Sequence, residues 1–199
     1  MAHQFRESWL EAAMGLIRVH FTRAGYTVPE NVQVSCGWPS RSPLGRRKRR
    51  IGECWDSEAS ESSQFQIFIS PSIADPTPLV PGKTASVLDV LVHEVCHAVV
   101  GLKAGHKKPF ADCAKAVGLI KPWTSTTASP RLIETMTAWA DELGPYPHGC
   151  LLGLERKTET GRMLKLECQC GLKIRSTQKW IDEYGPDWPC PCGGRLLAD

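Results

Sequence analysis

Three of the chain's six histidines lie within fourteen residues, in LVHEVCHAVVGLKAGH, residues 91–106. Leu88, Leu91, Val92, Val95, Val99 and Leu102 recur at three- and four-residue steps, the spacing of a helix with one apolar face. Ser86, with Asp89 three residues on, reads as a capping-box start. Gly101 and Gly105 bracket the stop. On such a helix His93 and His97 sit one turn apart, about 40° around the axis and about 6 Å along it. Their imidazoles can therefore converge on one ion. Glu94 lies about 100° round from His93, near enough to serve a water at the ion without ligating it. This is the H-E-x-x-H arrangement, with two histidines as zinc ligands and the glutamate as general base.

A lone histidine on an apolar helix is more often a hydrogen-bonded core residue than a ligand. Two at i, i+4 around a glutamate are a different case. Burying a carboxylate and two imidazoles without partners costs several kcal/mol, and a metal ion compensates. A catalytic zinc takes three protein ligands and leaves its fourth position to water. The preferred third ligand is His106, nine residues after His97 and just past a glycine that can turn the chain back. Glu134, on a later predicted helix, is the rival. The metzincin pattern needs glycine at 100 and histidine at 103; Val100 and Lys103 stand there instead.

Around this helix the chain reads as helix, small sheet, then helices. MAHQFRESWLEAAMGLIRVHF is an amphipathic helix ended near Gly25. NVQVSCGW, IGECW and FQIFIS read as strands. RSPLGRRKRR between the first two carries six positive side chains from Arg41 to Arg50 and no negative one. Pro71, Pro76, Pro78 and Pro81 mark an extended connection. Pro109 suits the first turn of a short helix through Val117, and Pro130, behind Ser129, starts another through Leu143. The expected architecture is α+β, with helices packed on a small β-sheet in a catalytic domain over residues 1–150.

The composition changes at about residue 155. The tail, LECQCGLKIRSTQKWIDEYGPDWPCPCGGRL, holds two thiol pairs, Cys168/Cys170 and Cys190/Cys192, each followed by glycine. Four thiolates from two short turns suit a tetrahedral structural zinc site, so residues 155–199 read as a small C-terminal zinc ribbon stabilised largely by its metal. Cys150 and His148 are possible substitutes for a pair member that cannot reach. The other reading is a reduced, metal-free hairpin. Cys96, between the histidines, is most simply a small buried hydrophobe.

The net charge of +3 says little about partners. No run of eighteen apolar residues exists, so no membrane span is expected. Arg6, Glu7 and Glu11 stand where a secretory signal would be apolar. A cytoplasmic location is expected, and nine cysteines there favour metal binding over disulfides.

These residues together resemble the SprT-like (Spartan-type) zinc metalloprotease family. HEVCH followed by GHKKPFADCAKAVGL is similar to that family's H-E-x-x-H helix and its G-H-x-x-x-F segment ending in G-L. The tail's CG, its basic–aromatic stretch and CPCGG resemble the family's zinc ribbon. The likeness is closest over residues 88–120, weaker over the strands before, and moderate over 165–197; the compressed CQC departs from the family's wider pair. The resemblance implies a zincin-like catalytic domain, one catalytic and one structural Zn2+, His93, His97 and His106 as catalytic ligands, and Glu94 as catalytic base. The compact composition resembles phage or prophage members, which would act in the host cytoplasm.

The implied activity is a zinc metalloendopeptidase acting on DNA-associated proteins. Arg46, Arg47, Lys48, Arg49 and Arg50 could neutralise phosphates. Lys173, Arg175 and Lys179 with Trp180 interleave charge and an aromatic ring as single-strand DNA binders do. The alternatives are a non-catalytic nucleic-acid-binding zinc protein and a host-directed protease independent of DNA. Tyr146 and His148 are candidate oxyanion donors that nothing in the spacing selects.

Overall fold

The computed structural model describes residues 3–42, 49–78, 85–151 and 163–198. The chain divides into two compact units, Met1–Gly153 and Leu154–Asp199, and both mix helix with strand.

In the first unit, helix α1 (Arg6–Arg23) buries Trp9, Leu10, Ala13, Ile17 and Phe21 completely, at helical spacing. It packs on a three-stranded sheet of β1 (Val32–Cys36), β2 (Gly52–Trp55) and β3 (Phe65–Ile69). The strand order is β1-β3-β2, with β1 parallel and β2 antiparallel to β3. The register sets Val34, Ile67 and Cys54 side by side, and all three are buried. An intact row of apolar side chains pins that register, because a one-residue slip would turn every one of them outward. Strand β2 is an edge among the described residues.

Helix α2 (Val87–Val100) packs against β2 and β3. Ser86 Oγ accepts the Asp89 N–H at 3.2 Å, which is half of the expected capping box. The Asp89 carboxyl bonds the Ala128 N–H instead. Helix α3 (Lys108–Ala116) begins with Pro109 in its first turn, and Phe110, Cys113 and Ala114 are buried. A two-stranded ribbon of β4 (Leu119–Ile120) and β5 (Thr127–Ala128) follows. Helix α4 (Pro130–Leu143) starts where Ser129 Oγ accepts the Leu132 N–H and stops at Gly144, φ +74°.

The second unit is a four-stranded antiparallel sheet, β7-β6-β9-β8, built from β6 (Leu164–Cys168), β7 (Lys173–Ser176), β8 (Asp187–Pro189) and β9 (Arg195–Ala198). It carries one short helix, α5 (Gln178–Tyr184). Its buried core is Leu166, Ile181 and Leu196 together with Cys168 and Cys190. Three aliphatic side chains bury far too little to hold a fold of this size alone. Among the described residues no helix is long and apolar enough to cross a membrane.

Candidate metal centre and cleft

Helix α2 presents His93 and His97 on one face. Gly101, at φ +81°, ends it, and a 3-10 turn over Leu102–Ala104 closed by Gly105, at φ +52°, reverses the chain. Glycine supplies both conformations without steric cost. His106 therefore comes back over the helix, its Nε2 lying 3.2 Å from His97 Nε2 and 3.4 Å from His93 Nε2. For metal–nitrogen bonds of about 2.0–2.1 Å, the edge of a coordination tetrahedron is about 3.3–3.4 Å. Both distances match that edge, all three ligand atoms lie within 4.8 Å of one another, and the group could hold a metal ion.

The ring orientations are fixed from below and from the side. The ring of Phe110, fully buried, lies 4.9, 4.5 and 4.9 Å from those of His93, His97 and His106. Thr126 Oγ1 sits 2.7 Å from His93 Nδ1. Ligation through Nε2 requires the proton on Nδ1, and the threonine oxygen accepts it. Burial, reinforced by the neighbouring imidazoles, pushes His93 down to about 3 and His97 down to about 4. Both rings are therefore neutral at pH 7, the form that ligates a metal. Thr126→Val removes the acceptor at nearly constant volume. It is expected to weaken zinc binding at this site by about 10–100-fold, read by competition with a chromophoric chelator; unchanged affinity would show that Thr126 does not orient the ring.

Glu94 is buried against β2. An ideal Cβ on Gly52 would come 2.4 Å from Val90 Cγ1 and 2.7 Å from Glu94 Oε1, so only glycine lets the strand approach this closely. Burial, with the Glu53 carboxylate adding, pushes the Glu94 carboxyl up to about 8 despite Arg50 and the Cys54 N–H. Glu53 itself accepts from Ser40 N–H at 2.7 Å, Ser40 Oγ at 2.8 Å, Arg50 at 3.0 Å and Trp55 Nε1 at 3.1 Å. It ties the two described ends of the arginine-rich segment to β2. Arg41, Arg49 and Arg50 line the same cavity, of about 740 Å³, as His93, Glu94 and His97.

Several sequence-derived candidates stand elsewhere. Glu134 is exposed on α4 and outside the histidine group. Tyr146 packs edge-on against Trp9 at 5.0 Å, and His148 bonds Arg6 and the Pro71 carbonyl. Neither is among the residues lining the cleft. Arg46, Arg47 and Lys48, with Pro81, lie outside the described residues.

In the second unit, Cys168 and Cys190 each close a tight turn. Gly171 N–H donates to the Cys168 carbonyl at 2.8 Å and Gly193 N–H to the Cys190 carbonyl at 2.9 Å; both glycines have positive φ. Each turn brings the sulfurs of a C-x-C pair to one side. Sγ separations are 3.6 Å for Cys168–Cys192, 3.7 Å for Cys170–Cys190 and 3.4 Å for Cys190–Cys192. With metal–sulfur bonds of about 2.3 Å, a tetrahedral edge is about 3.8 Å, so this group too could hold a metal ion. The Gly194 N–H donates to Cys192 Sγ and is the leading cause of its thiol being lowered to about 7. Cys150 belongs to the first unit and is exposed.

Of the ribbon's basic residues, Lys173 pairs with Glu167 at 3.2 Å and Arg175 is exposed. Lys179 Nζ lies 4.9 Å over the Trp180 ring, which stacks on Tyr184 at 5.6 Å. Trp180 and Tyr184 are 42% and 65% exposed. Tyr184 escaped the sequence reading, although its i, i+4 spacing from Trp180 was the available signal.

No protein-family model matches the chain, and neither a curated protein nor a solved structure does so.

Proposed function

We propose that the first unit is a zinc endopeptidase of the SprT-like, zincin type and that the second is a structural zinc ribbon. The observation that carries this reading is the convergence of the His93, His97 and His106 imidazole nitrogens beside a buried glutamate, with His93, Glu94 and His97 lining one cleft. A zinc ion held by His93, His97 and His106 would supply Lewis-acid activation of a water and of the scissile carbonyl. Glu94 does the proton work: its carboxylate takes a proton from the attacking water and hands it to the leaving amine. Substrate would lie along β2, whose outer edge pairs with no strand among the described residues, as an added strand held by main-chain hydrogen bonds.

The test is metal-dependent cleavage of an unfolded protein such as reduced casein. Phenanthroline should stop cleavage and one equivalent of zinc per catalytic site should restore it. Cleavage that continues in chelated protein would contradict the reading.

DNA-associated substrates are supported by the exposed Trp180–Tyr184 stack with Lys179, and by the arginines at the cleft. Stacking on such a platform contributes about 1–3 kcal/mol per base. Trp180→Ala should therefore weaken binding of a single-stranded oligonucleotide at least about fivefold, measured by anisotropy at fixed salt; unchanged binding would remove the platform from the account.

A further inference from the structure

Asp89 is a buried carboxyl in the cleft that the proposed chemistry does not use. It lies one turn before His93 on α2, lines the same cavity as His93 and Glu94, and is 5% exposed. Its carboxyl takes the Ala128 N–H, yet Oδ1 has no hydrogen-bond partner among the described residues. The capping task at this helix start is done by Ser86, and the proton work falls to Glu94. Arg50 bears electrostatically on Glu94, His97 and His106, whereas burial is the main influence on Asp89, opposed by the Ala128 amide. A buried carboxylate without a cation is costly unless a partner arrives. Ser125, Thr126 and Thr127 line the same cavity and bring short hydroxyl side chains to it.

We infer that Asp89 forms the base of a subsite that takes a cationic side chain, arginine or lysine, from the substrate next to the bond to be cut. This rests on the peptidase reading. An arriving guanidinium would pair with the carboxylate away from water and find hydroxyl partners in the same cavity. A neutral isostere would leave the charge unpaired, which is how such sites discriminate. Burial pushes the Asp89 carboxyl up to about 7, and a bound cation would hold it ionised.

The experiment uses the zinc-loaded full chain carrying Glu94→Gln, so that binding is read without turnover. Two fluorescein-labelled decapeptide pools are compared, identical except for arginine or citrulline at the two central positions. The arginine pool should bind at least about tenfold more tightly. Adding Asp89→Asn, with zinc content checked, should erase the difference. Equal binding of the two pools, binding of neither, or a preference that survives Asp89→Asn would each overturn the subsite. The same pools are then offered to protein with Glu94 intact. Cleavage without arginine preference overturns the subsite and spares the peptidase reading. Arginine preference without cleavage supports the subsite and contradicts the peptidase reading.

Discussion

Replacing Glu94 by glutamine is expected to leave the zinc content of the protein unchanged and to lower peptide cleavage by about 10²–10⁴-fold. Glutamine keeps the shape of the side chain but can neither accept the water's proton nor return it to the amine. Glu94 is no ligand here: the three imidazole nitrogens form their own group without it. The same substitution has a second, opposite effect. In metal-free protein the folded Glu94 carboxyl sits at about 8 against an ordinary 4.5. Between those values the unfolded chain is ionised there and the folded chain holds its proton, so the wild type loses stability as pH rises. Metal-free Glu94→Gln should thus be more stable than wild type, with a gap that opens above about pH 5 and widens to about pH 8. Urea midpoints at the two ends of that window measure it. An inactive variant with a stability gap that narrows with rising pH would place Glu94 in a different environment. A fully active variant would end its role as base.

Replacing Cys190 by serine should unfold the second unit and leave the first one intact. Among the described residues, Leu166, Ile181 and Leu196 are the aliphatic side chains of its buried core, with Leu164, Ile174 and Trp188 partly buried against it. A tetrathiolate zinc supplies an apparent 10–16 kcal/mol or so in small zinc modules, more than such a core provides. Removing one thiolate costs much of that and leaves three sulfurs facing one another. Trp180 and Trp188 report on this unit, and their environment should become that of an unfolded chain, with protease cleavage appearing between residues 163 and 198. Chelation of the wild type should do the same to this unit. A Cys190→Ser ribbon that stays protected from protease would show that the metal does not hold the fold.

The parts of this architecture that were legible in the sequence are those set by period and punctuation. Helix α2 shows because its apolar spacing, Ser86 and Gly101 all agree, and α4 shows because Ser129, Pro130 and Gly144 agree. The return of His106 was readable because Gly101 and Gly105 permit a tight turn. Strands β4 and β5 were not, since two residues carry no period. Thr126 was not, because its contact with His93 spans 33 positions and the run TSTTASP offers several equivalent hydroxyls. The Glu53 anchor and the orphaned Asp89 oxygen are likewise tertiary facts: each depends on which backbone N–H groups the fold brings near. Helix α5 buries only Ile181, too little to declare an amphipathic face.

Elemental analysis of purified protein tests the central claim most directly. The account predicts two zinc ions per intact chain, one after His97→Ala and one after Cys190→Ser, with cleavage lost in the first of these variants. An intact chain holding a single ion, or a His97→Ala protein that still holds two, would contradict it.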